Sequence, residues 1–370
     1  MSNNSKKTGQ KSAKTICLFN HKGGVSKTTT AFNLGWCLAD QGKKVLMVDL
    51  DSQCNLSGLV LGYGAIDDDH MSAFYESRKN LTMKPIVETL INGVSPESFL
   101  DSESGNLLRT ENSNLFLLPG NLSVSELDSQ ISVSLKIATG VPATRNIPGN
   151  LPKILIKIAS EKVDADYVIY DLSPNIGGLN EVILMASNYF IVPTSPDYFC
   201  LQAIYSLEKN IRRWHREIER FIEDNEFKKT SFSIANKPVF LGAIQQRYRP
   251  RSGKPAKSFE KWINNIRDAI NDEFIPSLAK IDCVIDSEIM KEALRGTDLV
   301  PYDLAQIPDF NSLIAISQQL SKPVFALTDS EIKEVGKVFG DAETTMKNSR
   351  NNFREIFTDL AKRIIHLTSQ

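Results

Sequence analysis

Little in this chain suggests a disulfide scaffold, a metal cluster or a membrane span. Its 370 residues include five cysteines, an odd number with no C-x-x-C pair and no histidine cluster beside them. Such a set supports neither a disulfide framework nor a zinc site, and a reduced, cytoplasmic protein is the simple expectation. No apolar run approaches the ~18 residues that a spanning helix needs, and the N-terminus has no apolar signal core. Charge of neither sign is in excess: 43 basic and 44 acidic side chains leave a formal −1, so any attraction for DNA must come from a local patch. Carboxylates are missing before Asp40, which leaves Lys6, Lys7, Lys11 and Lys14 unopposed. Residues 1–14 therefore read as a disordered basic tail, one that either touches DNA or keeps the terminus soluble. The remaining composition, 41% hydrophobic and 24% charged, is that of a globular protein able to bury a core.

What is present is concentrated in one stretch, Asn20-His21-Lys22-Gly23-Gly24-Val25-Ser26-Lys27-Thr28-Thr29-Thr30. An apolar, strand-like segment (14–19) precedes it and a helix is predicted over 31–39, so the glycines fall at a strand-to-helix turn. Paired glycines let successive N–H groups turn inward around an anion, the helix points its positive end there, and Lys27 adds a point charge. Thr28 supplies a hydroxyl for magnesium. The stretch reads as a cradle for nucleotide phosphates.

Two further apolar segments end in carboxylates: 44–51 (KVLMVDLD), closing on Asp49 and Asp51, and 166–172 (DYVIYDL), closing on Asp171. Carboxylates at strand ends are costly without a purpose, and near a triphosphate and a divalent ion Asp171 can hold magnesium through water. Strands alternate with helices along the chain, which predicts parallel strands joined by right-handed crossovers in one α/β sheet covered on both faces. Ligands then bind at the carboxyl ends of the strands, where these residues lie.

The ordinary phosphate-loop pattern G-x-x-x-x-G-K-[ST] is not met, because His21 and Ser26 stand where it asks for glycine. With Lys22 just before the glycines, the stretch resembles the deviant loop K-G-G-x-x-K-[ST] of the ParA/MinD/nitrogenase-iron-protein group of ATPases. The resemblance spans roughly residues 15–327. It implies a parallel, mostly doubly wound α/β sheet of a P-loop, deviant Walker A, SIMIBI-type NTPase with added helices. It also implies ATP and Mg2+ as ligands, with Lys22, Gly23, Gly24, Val25, Ser26, Lys27, Thr28 and Thr29 on the nucleotide. Lys22 would act in trans across a homodimer, as an arginine finger does elsewhere.

Asp51-Ser52-Gln53-Cys54-Asn55 resembles the family's D-x-D-P-Q-x-N segment, whose second aspartate, here Asp51, positions the attacking water. Asp49 is the first, counted with Thr28 and Asp171 at the metal and orienting the site. Ser173-Pro174-Asn175-Ile176-Gly177-Gly178 resembles the P-P-x-x-G switch segment. Thr194-Ser195-Pro196-Asp197 resembles the lead into the dimer-facing helix. Segments 239–246 and 281–285 look like the last two sheet strands, whose ends flank the base in relatives and put Gln246 beside it. Cys54 and Cys200 do not sit in the iron-protein branch's cysteine motifs.

Outside the shared core, residues 66–150 exceed a plain crossover, but 115–120 (LFLLPG) and the helix predicted after it resemble one sheet strand and its helix. Apolar residues Leu207, Ile211, Trp214, Ile218 and Phe221 recur at four and three, which predicts an amphipathic helix over 203–222. The stretch 247–257 carries Arg247, Arg249, Arg251, Lys254 and Lys257 with no acid, and reads as a mobile basic loop suited to DNA phosphates or to solvent alone. Phe353, Phe357, Leu360, Ile364 and Leu367 give a terminal helix one apolar face, for packing, a partner or a membrane. The expected organisation is the tail 1–14, an ATPase domain 15–328 and a helical extension 329–370.

By resemblance the output is an ATP-dependent dimer that binds DNA nonspecifically, segregates or positions a cargo, and answers to a ParB-like or adaptor partner. Membrane-associated positioning in the manner of MinD, and nucleotide binding with little turnover, are the competing expectations.

Overall fold

The computed structural model describes residues 12–62, 68–101, 105–137, 142–225, 234–251 and 254–369. Ten strands are described: β1 (Lys14–Leu18), β2 (Val45–Leu50), β3 (Leu108–Arg109), β4 (Leu115–Leu118), β5 (Tyr167–Leu172), β6 (Tyr189–Thr194), β7 (Val239–Tyr248), β8 (Pro250–Arg251), β9 (Lys254–Pro255) and β10 (Asp303–Pro308). Eight form one sheet in the order β10-β7-β6-β1-β5-β2-β4-β3, and all neighbours are parallel except β3 with β4. β2 and β5 are buried along their whole length and β1 along all but its first residue. Continuous apolar strands of this kind belong to a sheet covered on both faces.

Seven helices matter for the site: α1 (Lys27–Asp40), α2 (Asn55–Leu61), α3 (Val124–Lys136), α4 (Gly178–Ala186), α5 (Tyr198–Asp224), α6 (Lys257–Ala269) and α7 (Asp341–Leu367). β1 lies between β5 and β6, so the chain leaves β1 toward one edge and returns past it toward the other. That reversal opens a crevice at the carboxyl end of β1, the place where open α/β sheets bind ligands. Register brings the acids together: Asp171 of β5 pairs in register with Leu18 of β1 and with Asp49 of β2.

α5 buries Leu207, Ile211, Trp214, Ile218 and Phe221, the stripe its periodicity predicts, and begins earlier than expected because Asp197 caps it, accepting from Cys200 N at 3.0 Å. α7 buries Phe353, Phe357, Leu360, Ile364 and Leu367. Phe353 and Phe357 meet Phe310 and Phe325 at 4.8–6.3 Å between ring centroids. Each such side chain contributes roughly 1.5–3 kcal/mol on burial, so this face is spent on the body and is not available to a membrane. Among the described residues no helix is long and apolar enough to cross one.

Three expectations are corrected. The last sheet strand is Asp303–Pro308; the segment 281–285 makes a single bridge, Val284 to Phe240, through Phe240 N to Cys283 O and Ile285 N to Phe240 O. Residues 66–150 contribute two strands, since a short antiparallel β3 precedes β4. Lys14 opens β1, donates to Thr368 O and lies over the Tyr167 ring, so it does not belong to a tail. Residues 1–11 lie outside the described residues.

Candidate nucleotide site

β1 delivers the chain to Asn20, and the phosphate loop then closes onto α1 through two left-handed residues, Gly24 (φ 73) and Ser26 (φ 59). Ser26 thus adopts an angle that suits glycine, at a cost of about 1 kcal/mol or more. Behind it Thr30 N and Thr30 Oγ1 both donate to Ser26 O, at 2.9 and 2.8 Å, which fixes the first turn of α1. Residues 23–29 line a cavity of about 460 Å³ together with Asp51, Gln53, Asn55 and Pro174. The structure therefore brings together the glycines, Lys27, Thr28, Thr29 and Asp51, with the segment after Asp171 at the rim.

Lys27 is 7% exposed, and its ammonium donates to Asn20 O at 3.0 Å. Burial lowers its pKa, and Asp171 and Asp51 oppose that shift. Asp171 is 1% exposed, and neither of its carboxylate oxygens has a hydrogen-bond partner. Burial and then Asp49 push its carboxyl up to about 8, against the weaker pull of the Thr28 hydroxyl and Lys27. An orphaned buried carboxylate beside a threonine hydroxyl and a phosphate cradle fits a hydrated magnesium ion. The described residues hold no cluster of three or more His, Cys, Asp or Glu that would cage a metal unaided, and magnesium with substrate phosphates needs none.

Asp49 is held differently. Its Oδ2 accepts from Ser57 N at 2.8 Å and Ser57 Oγ at 2.6 Å, and its Oδ1 accepts from Asp51 N at 3.2 Å. Burial still raises its pKa to about 6, with those bonds pulling it down. Its oxygens accept from the turn that carries Asp51, and so Asp49 positions that turn.

Gln246 and Arg247 also depart from expectation. Gln246 is buried beneath the loop, donating to Val25 O at 3.3 Å and accepting from Thr30 Oγ1 at 3.0 Å, so its amide braces the cradle and does not face a base. The Arg247 guanidinium donates to Gly24 O, so this member of the basic stretch lies on the phosphate loop. The stretch itself is structured, β7 running through Tyr248 into the β8–β9 hairpin and α6 beginning at Lys257. Arg249 and Lys257 are exposed; the side chains of Arg251 and Lys254 lie outside the described residues.

Lys22 does not line the cavity. Its ammonium donates to Ser195 Oγ at 2.9 Å and is paired with Asp197 of its own chain. Burial raises the Asp197 pKa, but the bonds from Lys22 and Ser195 outweigh it and the net shift is downward. Ser195, Asp197 and Ser57 are residues at the site that the sequence reading did not assign, and Arg247 is one that it assigned to DNA phosphates.

Comparison with known proteins decides the family. A family model described as an AAA domain matches residues 13–223, more than half the chain. The chain belongs to the ParA/MinD family of ATPases. It is 28% identical to the sporulation initiation inhibitor protein Soj of Bacillus subtilis over 201 residues, 54% of this chain and 65% of that one. It is 30% identical to the chromosome-partitioning ATPase Soj of Treponema pallidum over 202 residues, 54% and 64% of the two chains. In each case the match spans just under two thirds of the relative's length. Among solved structures, a protein of Corynebacterium diphtheriae superposes with a TM-score of 0.61 at 21% identity, covering 83% of this chain and 97% of that one. An ATP complex of McdA from Cyanothece gives 0.54 at 15% identity, covering 93% and 96%. These two likenesses show the fold, a mostly parallel eight-stranded sheet flanked by helices.

Proposed function

We propose that this ParA/MinD-family ATPase binds ATP with magnesium in the cavity at the carboxyl end of β1 and hydrolyses it slowly as a timer. The observation that carries the reading is the buried Asp171 carboxylate beneath the Lys27–Thr28 turn, whose missing partners a cation beside it would supply. Loop amides and Lys27 hold the phosphates, Thr28 and Asp171 hold magnesium, and Asp51 orients the attacking water. Magnesium, when bound, supplies charge neutralisation on the phosphate oxygens.

Two subunits close face to face in the ATP state. Lys22 leaves Asp197 and Ser195 and reaches the partner's nucleotide, supplying stabilisation of the order of 10³–10⁵ in rate, as an arginine finger does. Loss of the γ-phosphate releases the segments 49–55 and 171–178 and dissociates the dimer. The ATP-state dimer binds duplex DNA nonspecifically, in the nucleoid, through exposed Arg249 and Lys257 near α6, and a ParB-like or adaptor protein stimulates turnover. The two Soj relatives, named for sporulation inhibition and chromosome partitioning, support a role in segregating or positioning a cargo.

Steady-state phosphate release from wild type and Asp51→Ala tests the catalytic half: equal rates remove Asp51 from the mechanism. An ATP-dependent monomer-to-dimer shift on a sizing column, absent in Lys22→Ala, tests the dimer. Charge removal at Arg249 and Lys257 is expected to weaken duplex binding at low salt, and undiminished binding would place the DNA surface elsewhere.

A further inference from the structure

A second charged cavity, of about 590 Å³, lies beyond the Asp171–Gly178 segment, lined by α3, α4 and α5. Glu181, in the first turn of α4, lines it while only 6% exposed, and its Oε1 is buried without a hydrogen-bond partner. An acid in a helix's first turn ordinarily serves the free N–H groups there. Here Asp128 Oδ1 accepts from Leu179 N at 2.8 Å and Ser132 Oγ accepts from Gly178 N at 3.0 Å, both from α3. The fit is close: a Cβ on Gly177 would come within 2.3 Å of the Asp128 carboxylate. Sealing the helix end with α3 leaves Glu181 Oε1 without a donor, and the side chain that the Glu181 carboxyl does meet is another acid, Glu217.

The cations nearby do not relieve it. Lys136 on α3 and Arg213 and Arg220 on α5 are exposed, and Arg213 Nε lies 3.7 Å from Glu217 Oε1, its own helix neighbour. Glu217 and Asp224 of α5 are exposed along the same wall. The apolar part of the lining, Leu135, Trp214 and Phe221, offers a surface for a methylene stem.

We infer that this cavity binds a guanidinium or alkylammonium group on an aliphatic stem, its N–H donors satisfying Glu181 Oε1 and its stem lying against Leu135, Trp214 and Phe221. Ile176, in the segment that follows Asp171, also lines the cavity, so an occupant touches the stretch leading out of the nucleotide site. The cation site itself does not depend on the reading of that nucleotide site.

Burial and then Glu217 push the Glu181 carboxyl up to about 8, and Arg213 and Lys136 lower it only in part. The bound cation therefore displaces a proton at neutral pH, a signature that a merely structural glutamate lacks.

Calorimetric titration of the full chain with N-acetyl-arginine-N-methylamide, standing for a polypeptide side chain, and with putrescine, standing for a free amine, tests the site. Tighter binding of the first assigns the site to a protein partner, and of the second to a small amine. In either case affinity rises about tenfold per pH unit below 8, with uptake of the released proton by buffer. Glu181→Gln lowers it at least tenfold while near-ultraviolet circular dichroism stays native. Glu217→Gln, exposed and safe to change, moves the pH midpoint of binding downward even if the Glu181 variant fails to fold. Absence of saturable heat from both probes, or affinity independent of pH and unchanged in the variants, overturns the inference.

Discussion

The ends of β2 and β5 carry the same residue type in direct register and treat it in opposite ways. Asp49 accepts three hydrogen bonds from Ser57 and the Asp51 amide, whereas Asp171, its partner across the sheet, has only the weak pull of the Thr28 hydroxyl. A buried carboxylate given donors by its own chain is part of the scaffold, and one denied them is reserved for something that arrives later. The difference separates two roles that the sequence motifs alone had merged at the metal.

The largest expected effect breaks the comparison at its unsatisfied end. Asp171→Asn should cost at least ~10² in turnover, because the carboxylate proposed to position magnesium is gone, while the nucleotide-free protein should gain stability, since a poorly partnered buried carboxyl becomes a neutral amide. The pH dependence separates these effects. The folded pKa of Asp171 is about 8 against 3.8 when unfolded, so the folded state holds the extra proton between those values. Stability from this group is therefore present at low pH and lost as pH rises toward 8. Melting of the metal-free chain across pH 6–9 should show that decline in wild type and a shallower one in Asp171→Asn, the remainder including Glu181, which titrates in the same direction. A decline of equal steepness would mean that Asp171 is satisfied in solution.

Asp49→Ala attacks the satisfied end and inverts the outcome. It leaves the Ser57 amide, the Ser57 hydroxyl and the Asp51 amide without their acceptor, and a loss of about 3 kcal/mol is expected from chemical denaturation. Turnover falls as well, through a misplaced Asp51, but magnesium-dependent nucleotide binding survives. If that binding disappears along with the stability, Asp49 is a metal residue after all and the comparison fails.

Ser26→Gly sharpens the reading of the loop itself. The serine holds φ 59 at the start of α1, where glycine meets no Cβ penalty, so a gain of about 0.5–1 kcal/mol in thermal stability is expected with nucleotide affinity little changed. A loss of stability would show that the Ser26 side chain supports the loop in a way its geometry does not suggest.

These residues also mark how far the sequence could be read. The phosphate loop, the acids at 49, 51 and 171, and the strands that carry them were legible, because strand periodicity and glycine placement are local properties. The sheet's edge was not: Asp303–Pro308 (DLAQIP) has an acid, a glutamine and a proline in six residues, and it becomes a strand because β7 pairs with it while Arg267 and Gln245 hold Asp303. The segment 281–285 looked more strand-like and yields one bridge. Arg247 read as part of a basic loop because charge and proline are visible locally, whereas its bond to Gly24 joins positions 223 apart. The Lys22 tether to Asp197 spans 175 positions and was hidden for the same reason.

That tether carries the smallest expected effect and the subtlest contrast, a cation satisfied within its own chain although its proposed work lies in another. The pair is partly exposed, its side chains 22% and 42% accessible, so screening limits it to about 0.2–1 kcal/mol. Releasing Lys22 should therefore promote dimerisation by a few-fold and no more. Asp197→Asn is the informative variant: asparagine caps a helix about as well as aspartate, so the bond to Cys200 N that starts α5 is kept while the charge is removed. With ATP present, sedimentation should place the dimerisation midpoint at a two- to five-fold lower protein concentration than wild type, without ATP the two should coincide as monomers, and raising salt should close the gap. A midpoint moved to higher concentration would mean that Asp197 serves the dimer directly, and that the contact with Lys22 within one chain is a stage of assembly and not a restraint on it.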